Sequence, residues 1–141
     1  METKGECNCG AVKVTFRFTG DQPLGSILCH CINCKKSSGS IGSNFMIVPR
    51  ETLLVEGQLN SYLDNNCDSG NVLERRFCGV CGSPVVAYTK ALGDSLCIVR
   101  TAIFPVSIPP VAHTYLEEAP GWMPHVEGTT LFKRAFGGSQ I

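Results

Sequence analysis

Along residues 11–18 the apolar side chains Val12, Val14, Phe16 and Phe18 alternate with Lys13, Thr15 and Arg17. Successive side chains of a strand point to opposite faces, so this period of two predicts a strand with one buried side. Shorter runs rich in β-branched and aromatic residues predict further strands at 26–28, 45–48, 53–55, 72–77, 85–88, 96–101 and 111–116. Turn-forming clusters separate them at Gly20-Asp21-Gln22-Pro23, Asp64-Asn65-Asn66, Asp68-Ser69-Gly70 and Pro109-Pro110, where backbone reversal is favoured over helix. No segment carries a sustained apolar stripe at helical spacing, so the expected class is mostly β with little helix. The polar, glycine-containing end at 137–141 is expected to be loose.

Length and composition sharpen this picture. A chain of 141 residues suits one domain spanning 1–141, with a core expected over about 4–125. Apolar residues make up 43% and charged residues 17%, enough for a packed interior. Lys plus Arg equals Asp plus Glu at 12 each, which argues against nucleic acid or an anionic membrane as partner. The first residues lack the apolar stretch of a secretory signal, and no run approaches the roughly 20 apolar residues that span a bilayer, so a cytoplasmic protein is expected. A homodimer stays open on sequence grounds.

The cysteines change the picture most. Nine is an odd number, and without a secretory signal a high count points to metal rather than disulfides. They cluster as Cys7-Asn8-Cys9, Cys29-His30-Cys31-Ile32-Asn33-Cys34 and Cys78-Gly79-Val80-Cys81. A Cys-x-x-Cys turn lets two thiolates converge on one ion at about 2.3 Å, and zinc accepts such ligands because it imposes no d-electron geometry of its own. Gly10 and Gly82, directly after Cys9 and Cys81, allow the positive φ of a tight knuckle. A structural zinc needs four ligands, which Cys7, Cys9, Cys78 and Cys81 supply if the two turns meet. The middle cluster offers Cys29, Cys31 and Cys34 without an evident fourth ligand, and three protein ligands with an open position is the pattern of a catalytic zinc.

Plainer readings stand beside these. His30 completes the shell only if three adjacent residues all turn inward, and Asn33 and Lys35-Lys36 can simply shape the turn. Cys67, in a polar loop, is a missing ligand, a reactive thiol or an ordinary free cysteine. Cys97, within Leu96-Cys97-Ile98-Val99, reads as a small buried hydrophobe.

The strings GECNCGAV at 5–12, CHCINCKKSSG at 29–39 and RRFCGVCGSP at 75–84, in this order, resemble the glutathione-dependent formaldehyde-activating enzyme and centromere-protein-V family. A weaker echo follows at His113-Thr114-Tyr115 and Trp122. The resemblance implies a complex β-sandwich of the Mss4-like type built around zinc knuckles. It implies two Zn2+ per chain, one structural on Cys7, Cys9, Cys78 and Cys81, the second and labile one on Cys29, Cys31 and Cys34. It also implies a carbon-sulfur lyase that makes or breaks an adduct between glutathione, or a similar thiol, and a small carbonyl such as formaldehyde.

On that reading His30 and Cys31 are candidate catalytic residues, His30 as a proton carrier because its ordinary pKa lies near neutrality. Asn33, Lys35 and Ser38 are candidates to orient the substrate, and Arg75 to pair with a substrate carboxylate, its alternative being an ion pair within the protein. Thr101-Ala102-Ile103-Phe104-Pro105 and Glu117-Glu118 depart from residues common in the family. An apolar lip near Phe104-Pro105 and Trp122-Met123 suits a larger, specialised metabolite. The competing expectation is a non-catalytic binding module of the same fold, in which zinc only shapes a surface.

Overall fold

The computed structural model describes residues 1–21 and 23–141; Gln22, in the first of the predicted turns, lies outside the described residues. In chain order the strands are β1 (Glu2–Glu6), β2 (Lys13–Arg17), β3 (Ser26–Cys29), β4 (Ser43–Pro49), β5 (Leu53–Glu56), β6 (Leu59–Asp64), β7 (Leu73–Cys78), β8 (Pro84–Thr89), β9 (Leu96–Arg100), β10 (Pro110–Thr114) and β11 (Thr130–Leu131). Among the described residues there is one α-helix, α1 (Ile32–Ser38), besides short 3-10 turns. The mostly β expectation holds. Among the described residues no helix is long and apolar enough to cross a membrane.

The chain divides into two compact units. The first comprises Met1–Pro23 and Ile47–Ser107. In it β1, β2 and β5 form an antiparallel sheet in the order β1-β2-β5, with Val14 opposite Gly5 and Val55. The alternation read from the sequence is realised: Val12, Val14 and Phe16 are buried, while Lys13 and Arg17 face solvent. Phe16 stacks on Phe18 and meets Phe104, ring centroids 5.0 and 6.1 Å away. Gly5 sits where a Cβ would lie 2.5 Å from the Ile103 carbonyl oxygen, so any side chain there forces the strand outward.

Strands β6 to β9 of the same unit run antiparallel in the order β9-β8-β7-β6. Val85, Val86, Ala87, Cys97 and Val99 are buried, giving β8 and β9 the near-continuous apolar run of strands covered on both faces. Cys97 is the buried hydrophobe its neighbours suggested. Arg75, on β7, is buried against Asp64, its Nε donating to Oδ2 at 2.8 Å.

The second unit comprises Leu24–Met46 and Ile108–Ile141. Its strand order is β11-β10-β3-β4; β10 runs parallel to both β3 and β11, and β3 is antiparallel to β4. Register places Thr114 beside Cys29 and His113 beside Leu28. The carboxyl-terminal stretch expected to be loose is tied down: Ser139 accepts from the Lys133 amide and the Ile141 amide donates to Leu131, at 2.9 and 3.0 Å. Strand-like backbone bonds hold it where composition alone suggested only polarity and glycine. Of the residues expected to form an apolar lip, Phe104 and Met123 are buried, while Pro105 and Trp122 are exposed.

Candidate functional site

In the first unit the β1–β2 and β7–β8 turns bring Cys7, Cys9, Cys78 and Cys81 together, all four sulfurs within 4.8 Å of one another. Both turns are built alike. Gly10 N–H donates to the Cys7 carbonyl and Gly82 N–H to the Cys78 carbonyl, each at 3.0 Å, with Gly10 and Gly82 at φ 81° and 77°. These left-handed positions are the ones glycine occupies without strain. Each knuckle aims amides at its first sulfur: Val12 N–H at Cys7 Sγ (3.2 Å), Val80 and Cys81 N–H at Cys78 Sγ (3.3 and 3.4 Å).

The sulfur spacing can be tested against a metal. A tetrahedron with Zn–S bonds of about 2.3 Å has sulfur-sulfur edges of about 3.8 Å. Cys7 Sγ lies 3.6 Å from Cys9 Sγ, and Cys9 Sγ 3.7 Å from Cys78 Sγ. The donor set and its edges fit zinc. Two of the thiols are also biased toward the thiolate that a metal needs. The Ser83 hydroxyl and amide bring Cys81 down to about 5. Burial opposes ionisation of Cys7, but the Val12 amide and the Cys78 and Cys9 thiols outweigh it and lower its pKa.

In the second unit Cys29, Cys31 and Cys34 form a group of three whose sulfurs again lie within 4.8 Å of one another, and among the described residues no fourth Cys, His, Asp or Glu joins it. Cys29 ends β3, Cys31 is the N-cap of α1 and Cys34 sits in its first turn. Cys31 Sγ accepts from the Cys34 amide at 3.3 Å, so one sulfur both caps the helix and faces its neighbours. Gly39, left-handed at φ 66°, closes the helix with its N–H on the Lys35 carbonyl. Crowding by Cys31 raises the Cys29 pKa although Cys34 and Thr114 donate to it, and Cys29, Cys31 and burial raise that of Cys34. Close thiolates repel one another, and a dication among them would reverse that. Three soft sulfurs with no protein counter-ion in their group are a donor set that fits zinc.

His30 does not join the ligands. It is buried, its Nε2 2.9 Å from His113 Nδ1 and its Nδ1 3.3 Å from the Ile41 carbonyl, the two rings stacked with centroids 5.2 Å apart. The Val126 amide donates to His113 Nε2 at 3.1 Å, and that bond assigns every ring proton. His113 Nε2 accepts, so its proton is on Nδ1 and is donated to His30 Nε2; His30 therefore carries its own on Nδ1, toward Ile41. Both rings are neutral in this arrangement, in keeping with burial, which lowers both pKa values, His113 being lowered further by His30 and His125. All four ring nitrogens are thereby engaged.

The remaining candidates serve the turn. Lys35 Nζ donates to the Glu118 carbonyl, and Ser38 Oγ to the Gly42 carbonyl at 2.8 Å. Asn33 is half-buried at the start of α1. Arg75 belongs to the first unit and is paired with Asp64. Cys67 joins neither cysteine group; its thiol points at the Asp64 carbonyl, 3.5 Å away. Sequence reading gives no role to Glu118 or Thr114. Glu118 Oε2 accepts from the Ile32 amide at 2.6 Å, a carboxylate on the first turn of α1, and Thr114 bonds to Cys29. His113 enters only through the family echo, and its pairing with His30 across 83 residues has no local signal.

Comparison with known proteins gives the arrangement a family. A solved structure of a Rhodobacter sphaeroides protein shares the fold at a TM-score of 0.55 and 20% identity, over 75% of this chain and 97% of the other. No curated protein matches the chain. The family model described as glutathione-dependent formaldehyde-activating enzyme matches residues 2–118, which include all seven clustered cysteines, His30 and His113. The chain belongs to the glutathione-dependent formaldehyde-activating enzyme family.

Proposed function

We propose that this protein is a zinc-dependent carbon-sulfur lyase holding two Zn2+, which makes or breaks the adduct of a thiol such as glutathione with a small carbonyl or a larger metabolite. The observation that carries this reading is the group Cys29, Cys31 and Cys34, three converging sulfurs without a fourth protein ligand among the described residues. Bound there, zinc supplies a Lewis acid that holds a substrate sulfur as thiolate at neutral pH. The four-sulfur group, whose ligand count is complete, is proposed as structural.

The chain's own residues supply geometry. Cys29 and Cys34 are buried and Cys31 is half-buried, so Cys31 is the ligand assigned to the substrate side. Cleaving a hemithioacetal leaves a thiolate and a carbonyl, and the hydroxyl proton must go to a base. His30 takes up that proton only if its bond to His113 opens, because Nε2 already accepts and Nδ1 donates to a carbonyl. The geometry supports His30 as a positioning residue that fixes Cys29 and Cys31 on either side of it. Of the three histidines His125 is the exposed one, its ring 5.6 Å from that of His113. Asn33 is proposed to orient the substrate, with Lys35 and Ser38 holding the turn that presents it, while the ion pair with Asp64 supports a structural part for Arg75.

Zinc per chain, measured on native protein, after mild chelation and with glutathione added, tests the reading. Two ions are expected, one of them labile and thiol-sensitive. A single tight ion indifferent to thiols would favour the non-catalytic binding module instead.

A further inference from the structure

Away from both cysteine groups, the first unit carries a cleft of about 690 Å3 between the start of the turn after β4, β7 and the end of β8. That volume lies within the roughly 300–1,000 Å3 of small-molecule sites. Its lining is unusual in charge. Arg50 and Arg76 both place their guanidinium carbons on the Tyr88 ring, 4.6 and 4.7 Å from its centroid, and Lys90 also lines the cleft. The lining also holds two carboxylates, Glu74 and Asp94.

The Arg50 cation is held without being neutralised. Arg50 is fixed by Nε on the Leu96 carbonyl at 3.0 Å, a neutral acceptor. The aromatic face attracts a guanidinium through its quadrupole but carries no net charge. Glu74 is shared between Arg76 Nη2 (3.2 Å) and the Ser61 hydroxyl (3.1 Å). Arg76 Nε is buried with no hydrogen-bond partner among the described residues. A charged donor deprived of both water and a protein acceptor is costly, and its persistence calls for an acceptor from elsewhere. Three cations against two carboxylates, of which Glu74 pairs with Arg76, leave the cleft with one net positive charge in a chain whose overall charge is zero.

We propose that this cleft is a binding site for a small anion bearing a phosphate or carboxylate group, gripped by the forks of Arg50 and Arg76 with Tyr88 as their spacer and Lys90 at the rim. Planar guanidinium forks bind either group through paired hydrogen bonds, which sets the ligand class. The assignment uses no step of the carbon-sulfur chemistry, and its test reads binding alone.

Metal-loaded, 15N-labelled protein is titrated with inorganic phosphate and, separately, with malonate, following the amide signals of Asn71 and Lys90 on the lining. Saturable shifts confined to the cleft are expected, weakening as sodium chloride is raised. Phosphate alone saturating assigns a phosphate-bearing ligand, malonate alone a carboxylate-bearing one. Arg50→Gln and Arg76→Gln should each weaken binding at least tenfold. Replacing the exposed Lys90 (Lys90→Gln), which leaves the packing untouched, should weaken it about threefold, a change of about 0.65 kcal/mol at RT of about 0.59 kcal/mol. If neither anion saturates, or folded Arg50→Gln and Lys90→Gln proteins bind like the parent, the cleft is not an anion site.

Discussion

The ion pair between Arg75 and Asp64 offers the sharpest test of how a sequence-suggested substrate residue is really used. Both side chains are nearly sealed, 9% and 6% exposed, and their contact is 2.8 Å. Two unit charges about 4 Å apart attract by about 4 kcal/mol at an effective dielectric near 20. Desolvation of both groups offsets most of that, so the intact pair adds little net stability, but a lone survivor costs about 3–5 kcal/mol. Asp64→Leu takes the opposite charge from a buried guanidinium and Arg75→Met takes it from a buried carboxylate that keeps the Asn66 amide, while the double variant leaves neither charge. Each single change is expected to lower the thermal midpoint by about 12–20 °C, taking about 4 °C per kcal/mol for a chain of this size. The double variant should recover most of the loss, with a coupling of at least about 2 kcal/mol. Denaturation of all four proteins at saturating zinc measures this. An Asp64→Leu protein that loses less than about 1 kcal/mol, against the 3–5 expected for a stranded charge, would refute the structural assignment of Arg75. So would an Arg75→Met protein that is stable and metal-loaded yet binds substrate poorly.

Other outcomes follow from the same geometry. Cys7→Ser or Cys81→Ser should unfold the protein, since structural zinc contributes on the order of 10 kcal/mol in small domains, whereas Cys31→Ser should keep its circular dichroism and lose thiol-sensitive zinc. Replacing His113 by Phe removes the donor to the buried His30 Nε2, at about 1–3 kcal/mol, and the acceptor of the part-buried Val126 amide, which costs less; urea denaturation should show the loss, and His113→Gln should restore part of it. His30 and His113 both titrate below the ordinary imidazole value, so the unfolded chain binds more protons and stability rises with pH. Their contribution is complete above about 6.5 and is lost as pH falls through the folded values; ring 15N shifts at pH 7 should show both rings neutral, and an imidazolium at either would overturn the proton assignment. Gly5→Ala pushes a methyl to 2.5 Å from the Ile103 carbonyl and should cost about 1–3 kcal/mol by overpacking, read as a lower thermal midpoint.

The parts of this protein that show in its sequence are those whose signal is local. The alternation of β2, the apolar runs of β8 and β9 and each cysteine cluster are written within six residues, so those strands and clusters are read directly. Strand β1 carries no such mark, because Glu2, Lys4 and Glu6 dominate it and its one buried residue is Gly5. Strand β6 is silent for a related reason: it ends its sheet, and Tyr62 and Leu63 are both exposed, so no alternation betrays it. Helix α1 buries Cys34 alone, and one buried position makes no stripe. The His30–His113 pair and the Arg75–Asp64 pair rest on contacts made by the fold. Chemical type nominates His30 and Arg75, but burial and partners, which decide their roles, are properties of the folded chain.

The four-sulfur group joins turns far apart in the chain, and this gives its assembly a timetable. Cys9 and Cys78 are 69 residues apart, so at about 5–20 residues per second a ribosome needs about 3–14 s to deliver the second knuckle after the first. Through that interval the nascent Cys7 and Cys9 have no partners, while Cys29, Cys31 and Cys34 emerge within one short burst of synthesis. On the proposed two-zinc reading, an ion captured early would meet a three-sulfur donor set before a four-sulfur one exists, and metallation in the cell would begin at the site proposed to hold its ion more loosely.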